Sequence, residues 1–213
     1  MSRQLAEDII RASVERCESM FGSDFDYSHP VSQMSQIALR SIDRTDVYII
    51  IEPYLYTWGR MGRVLGRSKF DGWQGKVANL VRLEASKLEH LRTLELEQVP
   101  LEGRRAQIVE LFDSFQAIVL GIAAGKVLHL ICPAFFPLWD NAIASGMLAE
   151  SKLSLHDPIS GQDYFEFMRG VQSMLRKRSK LWIELSTGYR KGTLKIVDEY
   201  LWWTVRRPFS LVV

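Results

Sequence analysis

Residues 46–55 read DVYIIIEPYL, and the run at its centre, Val47-Tyr48-Ile49-Ile50-Ile51, decides the fold class. A continuous β-branched run suits a buried strand. A strand, however, must pair its backbone donors and acceptors with another strand, and no second run of this kind occurs in the chain. The stretch is therefore read as helix, with Asp46 as its cap and Pro53 as the place where it must kink. That reading makes the protein all-α.

The flanking sequence is consistent with this. Leu5, Ile9, Ile10, Val14, Cys17, Met20 and Phe21 recur at helical spacing, with Ser2 available as a cap. Residues 22–30 (GSDFDYSHP) read as a turn-rich connection, followed by a short helix with Met34, Ile37, Ala38 and Ile42 on one face. Arg60, Arg63 and Arg67 recur at a spacing that would project them from one side of a helix. Long amphipathic helices are expected over 73–93, 104–119, 163–185 and 193–205. The tail RRPFSLVV is expected to be extended. Eight to ten helices result, in a single globular unit or in two lobes, about 30–119 and about 120–213 with the N-terminal helix.

Composition sets outer limits. Of 213 residues, 47% are hydrophobic and 24% charged, so a real core can close and disorder is excluded. Lys plus Arg is 27 against 25 Asp plus Glu, a net charge of +2, which excludes a bulk polycation but not a local basic face. Cys17 and Cys132 sit in apolar stretches and read as buried thiols of a reducing cytoplasm. No zinc constellation exists among His29, His90, His129, His156 and the two cysteines, and no metal or cofactor is expected. The start MSRQLAEDII lacks a signal-peptide core, and the longest apolar run, 117–124, is too short to span a bilayer. A cytoplasmic protein with no membrane partner is expected.

Chemistry concentrates in residues 120–148, LGIAAGKVLHLICPAFFPLWDNAIASGML. Gly121 and Gly125 suggest a tight turn, then a short helix from about Lys126 to Cys132. Pro133 and Pro137 stiffen the passage that follows, and Asp140 caps the next helix, with Ile143 and Met147 inward. A lysine at a helix start meets the positive end of the helix dipole, and its amine becomes a nucleophile once partly desolvated. A carboxylate held opposite would stabilise positive charge developing on a sugar ring. The bland alternative is a solvated lysine, an ordinary cap and a loop stapled by Phe135, Phe136 and Trp139. His129, three residues past Lys126, is either a proton shuttle beside the lysine or a half-buried, hydrogen-bonded side chain.

Gly125-Lys126 followed by Pro137-Leu138-Trp139-Asp140-Asn141-Ala142-Ile143 resembles the catalytic stretch of the helix-hairpin-helix DNA glycosylase superfamily. The resemblance implies an all-helical, two-lobed fold with a cleft between the lobes. It also implies Lys126 as Schiff-base nucleophile and Asp140 as catalytic carboxylate of a base-excision glycosylase/lyase.

Charge is polarised along the chain. Seven basic residues (Arg176, Lys177, Arg178, Lys180, Arg190, Lys191, Lys195) stand against one acid over 176–195, and five against one over 60–76. Residues 84–113 are the reverse, with seven acids and four bases. A one-sided phosphate-binding surface would look like this, as would two solvated helix faces. Arg60, Arg63, Arg67, Arg176, Lys177, Arg178 and Lys180 are the candidate nucleic-acid contacts. Trp139, Trp202 and His129 are candidate pocket residues, and Trp182, Trp202 and Trp203 are rings on which a base could stack. Besides the glycosylase reading, a non-catalytic nucleic-acid-binding module and a protein-interaction bundle remain open.

Overall fold

Val47–Ile51 is helical, in a wide π turn inside a continuous helical stretch from Arg44 to Tyr56. The Glu52 N–H reaches back five residues to the Val47 carbonyl. The widened turn lies just before Pro53, which has no N–H to continue the ladder. Val47, Ile50 and Ile51 are buried, while Tyr48 and Ile49 face outward. The cap is Asp43 rather than Asp46. The Asp43 carboxylate accepts from the Thr45 and Asp46 N–H groups at 2.6 and 3.0 Å, and Asp46 accepts from the Asp43 N–H at 2.9 Å. This reciprocal box starts the helix three residues earlier than expected.

The computed structural model describes residues 3–21, 24–150 and 159–206, and among them there is no strand. The order is α1 (Arg3–Phe21), α2 (Phe25–Gln36), α3 (Arg44–Asp46), the π turn, α4 (Glu52–Tyr56), α5 (Gly62–Leu65), α6 (Trp73–Leu83) and α7 (Ala85–Arg92). Then follow α8 (Arg105–Val119), α9 (Gly121–Ile131), α10 (Asn141–Glu150), α11 (Gly161–Lys177), α12 (Ser179–Tyr189) and α13 (Thr193–Arg206). One hydrophobic cluster runs through them, from Val14 on α1 through Tyr54, Phe112, Leu128 and Trp182 to Ile196 on α13. No single helix among the described residues is long and apolar enough to cross a membrane.

Several expected boundaries move. The connection over 22–30 is largely helix, since α2 begins at Phe25 and carries Pro30 inside it, and 37–42 falls outside the helix. The expected 73–93 helix breaks at Glu84, and the 163–185 helix at Arg178. The expected turn at Gly121 and Gly125 lies instead at Leu120, with φ 70° and ψ 159°. Its carbonyl accepts the Ala124 N–H at 2.8 Å and so opens α9 five residues before Lys126 is reached. Leu120 occupies backbone space that glycine normally fills, and there the chain bends by 120° between α8 and α9. The Ser2 cap, the 151–158 connection with His156 and the tail from 207 lie outside the described residues, as does the Met147 side chain.

Gly125 does a different job from the one its sequence suggests. A Cβ there would come within 2.7 Å of the Trp139 Cβ. Its bare backbone lets α9 lie directly on the 133–140 passage. That passage is also tied down by the Tyr164 hydroxyl donating to the Pro137 carbonyl at 2.8 Å and the Leu96 N–H donating to the Ala134 carbonyl at 2.9 Å. Arg92 fixes the far end of α9. Its guanidinium donates to the carbonyls of Ile131, Ile37 and Met34 at 3.0, 3.1 and 3.3 Å, closing the ends of α9 and α2 together.

Candidate functional site

α9, the proline-stiffened passage and α13 enclose a cleft of about 590 Å³ with the turn after α4 and the start of α2. Lys126 and Asp140 both line it, together with Arg60, Trp58, Trp202 and the Lys195, Asp198 and Glu199 side of α13. Lys126 sits in the middle of α9, not at its start, so the helix dipole does not act on it as expected. Its amine donates to the Gly59 carbonyl at 3.0 Å and lies 5.0 Å from the Trp58 ring centroid. Asp140 is the expected cap: its Oδ1 accepts the Ala142 N–H at 2.9 Å, and its carbonyl accepts the Ala144 N–H. Ile143 points inward, as expected.

The wall opposite is charged and mostly dry. Lys195 is 5% exposed and pairs with Asp24, Glu199 and Asp198 at 3.0, 3.1 and 3.6 Å. Burial works against its charge, but the three carboxylates outweigh burial and hold the ammonium well above the ordinary lysine range. Lys191 joins the same network through Glu18 and through Glu199 at 2.8 Å. Glu199, opposed by burial but served by both lysines, is held below the usual carboxylate range. Asp198 goes the other way. Burial lifts it to about 6, and Lys195, which it shares with two other acids, only partly offsets this. Lys126 pulls it down and Asp140 pushes it up, so both charges are felt at this carboxyl. Asp24, Asp26, Asp140, Asp198 and Glu199 together outnumber Arg60, Lys126 and Lys195 at the cleft. The interior therefore repels phosphate and favours positive charge on whatever it holds.

Other candidates fall elsewhere. His129 is fully buried outside the cleft lining, its Nδ1 donating to the Phe136 carbonyl and its Nε2 accepting from the Tyr27 hydroxyl, both at 2.7 Å. Burial lowers it to about 4 against the pull of the Phe136 carbonyl, so the ring is neutral and the shuttle reading is overturned. Trp139 reaches the cleft edge, but its indole is 1% exposed and packs edge-on against Phe112, Tyr164 and Phe167. Trp202 is half-buried on the cleft wall, while Trp182 is core.

The basic clusters separate. Residues 58–69 do not form one helix, because Arg60 has φ 54° in the turn before α5, so Arg60, Arg63 and Arg67 share no helix face. Arg60 lines the cleft, whereas Arg63 and Arg67 are exposed away from its lining. Arg176 is a structural tie, donating to the Glu97 and Val99 carbonyls at 2.8 and 3.0 Å. Arg178 forms the corner between α11 and α12, and Lys177 and Lys180 are exposed. None of these four lines the cleft. Lys191 and Lys195, counted from sequence with this basic run, are neutralised inside the molecule.

Sequence reading missed Asp24, Trp58, Asp198 and Glu199. One signal was present: Lys195, Asp198 and Glu199 interrupt a helix that otherwise buries Leu194, Ile196, Val197 and Leu201. Polar residues at i, i+3 and i+4 among apolar ones place a charged stripe against the core. No family model, curated protein or solved structure matches the chain.

Proposed function

We propose that the chain is a cytoplasmic nucleic-acid-binding protein of DNA-glycosylase-like fold that takes one nucleotide into the cleft and cleaves its glycosidic bond. The observation that carries this reading is that Lys126 and Asp140 line one cleft whose acids outnumber its bases. Its volume falls within the range of small-ligand sites, about 300–1,000 Å³. An acidic, partly dry interior favours the positive charge that builds on a sugar as its base departs. Arg60 at the same cleft would hold an adjoining phosphate, and Arg63 and Arg67, exposed outside its lining, would be further contacts. The half-buried ring of Trp202 offers a stacking face for the base. The buried thiols Cys17 and Cys132 agree with a reducing compartment.

In this reading the Lys126 amine attacks the anomeric carbon and the base leaves with the bond's electron pair. The resulting aminal then opens: its nitrogen passes a proton to the ring oxygen, leaving an iminium link. Borohydride trapping on duplex and single-stranded DNA carrying damaged bases or an abasic site tests it. A covalent adduct that is lost in Lys126→Ala is expected, and absence of an adduct on every substrate refutes the lyase chemistry.

A second reading has its own support. Lys126 already donates to the Gly59 carbonyl and lies over Trp58, an arrangement that suits a fixed ammonium. A non-catalytic module would bind nucleic acid in a salt-dependent manner, release no base and keep its affinity in Lys126→Ala.

A further inference from the structure

The Lys126 amine lies within bonding distance of a carbonyl and over an aromatic face, and both contacts favour its protonated form. A nucleophilic role therefore requires a group in the same cleft that can remove a proton. Asp140 is anchored by one of its oxygens to the α10 cap, where its charge supports the helix start. Glu199 is closed off by Lys191 and Lys195. Asp24 holds the shortest of the Lys195 contacts, at 3.0 Å. Asp198 has the longest of the three, 3.6 Å, and opens into the cleft from the middle of α13. It is thus the least neutralised carboxylate among Lys195's partners.

Building on the lyase reading above, we propose that Asp198 is the proton carrier of this cleft, accepting a proton from the Lys126 ammonium and delivering it to the departing base. The steps balance. Asp198 carboxylate and Lys126 ammonium become carboxylic acid and free amine. The amine's lone pair forms the new bond to the anomeric carbon as the bond to the base breaks. The base nitrogen, which leaves with that electron pair, takes the proton from Asp198 and so regenerates the carboxylate. On an abasic sugar the amine adds to the aldehyde, water leaves, and borohydride reduces the iminium.

The carboxyl's surroundings set its working range. Lys195 and Glu199 act on it from its own helix, Lys126 from α9 and Asp140 from the stiffened passage, while Asp24 at the start of α2 shares Lys195 with it. Cys17, Tyr27 and Tyr54 also face this cluster, but burial raises all three and keeps them protonated across the relevant range. Burial places the ionisation of Asp198 near 6, between an ordinary aspartate and neutrality, where a carboxyl can both accept and return a proton.

The test is the rate of borohydride-trapped adduct formation by the full chain on an oligonucleotide with one abasic site, from pH 5 to 8.5. The wild-type rate is expected to rise with pH and level off above about 6, as Asp198 becomes fully ionised. In Asp198→Asn the amine must lose its proton to solvent. The rate should fall by about 10²-fold or more at pH 7 and climb without a plateau, about tenfold per pH unit. Identical profiles for the two proteins overturn the assignment. If Asp198→Asn fails to fold, as judged by its thermal melt, the wild-type profile decides alone, and an unbroken climb through pH 6 overturns the assignment. An adduct with the wrong profile sinks only the role of Asp198, whereas no adduct at any pH sinks the lyase reading with it.

Discussion

Replacing Lys195 with Met removes one ammonium from among three carboxylates at 3.0, 3.1 and 3.6 Å while keeping most of the side chain's volume. The side chain is 5% exposed, so water cannot screen the acids left behind. The folded state can relieve their repulsion by taking up a proton. For a carboxyl whose unfolded value is about 4, that uptake costs about 5 kcal/mol at pH 7.5 and about 1.4 kcal/mol at pH 5. Lys195→Met should therefore lose up to about 5 kcal/mol at pH 7.5, close to the cost of breaking other buried pairs, and only about 1–2 kcal/mol at pH 5. The sign follows from the direction of the shift. A carboxyl raised in the folded state binds protons more tightly there, so the variant recovers stability as pH falls. At this chain length the larger loss lowers the melting temperature by about 10–20 °C. Urea unfolding of both proteins at the two pH values measures the difference. A loss below about 1 kcal/mol at pH 7.5, or an equal loss at both pH values, would refute the reasoning.

Gly125→Ala would place a methyl 2.7 Å from the Trp139 Cβ; we expect about 1–3 kcal/mol of destabilisation despite alanine's better helix propensity, read from denaturant unfolding by tryptophan fluorescence. His129 sits at about 4 in the folded protein, below its unfolded value of about 6.5, so its contribution is full above pH 6.5 and fades toward pH 4, a loss of about 3 kcal/mol. His129→Phe should remove that acid dependence and cost about 2–5 kcal/mol at neutral pH, by stranding the Tyr27 hydroxyl and the Phe136 carbonyl; unchanged acid sensitivity would contradict the assignment. Arg176→Ala should lower stability by about 1–3 kcal/mol and leave the salt dependence of any DNA binding untouched, whereas Arg60→Ala should reduce the slope of log affinity against log salt by about one, both measured by titration at several salt concentrations.

The all-helical class could be read from one argument, that a lone β-branched run has no strand to pair with. The π turn that accommodates it could not, because residue type alone does not set whether the Glu52 N–H meets the carbonyl four or five residues back. The Asp140 cap was legible because capping is local. The position of Lys126 within its helix was misread because Gly125 looks like a turn residue, while its real partner is Trp139, fourteen positions away and outside any local window. The charge runs misled for a related reason. Counting cannot tell Lys180, which is exposed, from Lys195, which is enclosed by acids from two segments, since burial depends on which helices meet. Asp198 left a trace in the polar i, i+3 and i+4 pattern of α13, but which cleft it enters depends likewise on which helices meet.

The pairing of α1 with α13 bears on how the molecule forms. Arg11 reaches Glu184 on α12, and Lys191 reaches Glu18, each across 173 positions of chain. α1 packs chiefly on α13. During synthesis the amino-terminal helix therefore emerges long before its partner exists. Helices in the middle can settle on one another as they appear, but the cleft wall carrying Lys195, Asp198 and Trp202 arrives late and must dock onto a waiting edge. Such distant closure slows the final step of folding. A nascent chain halted before α13 would present the apolar stripe of α1, including Ile10 and Val14, to any chaperone at the ribosome exit.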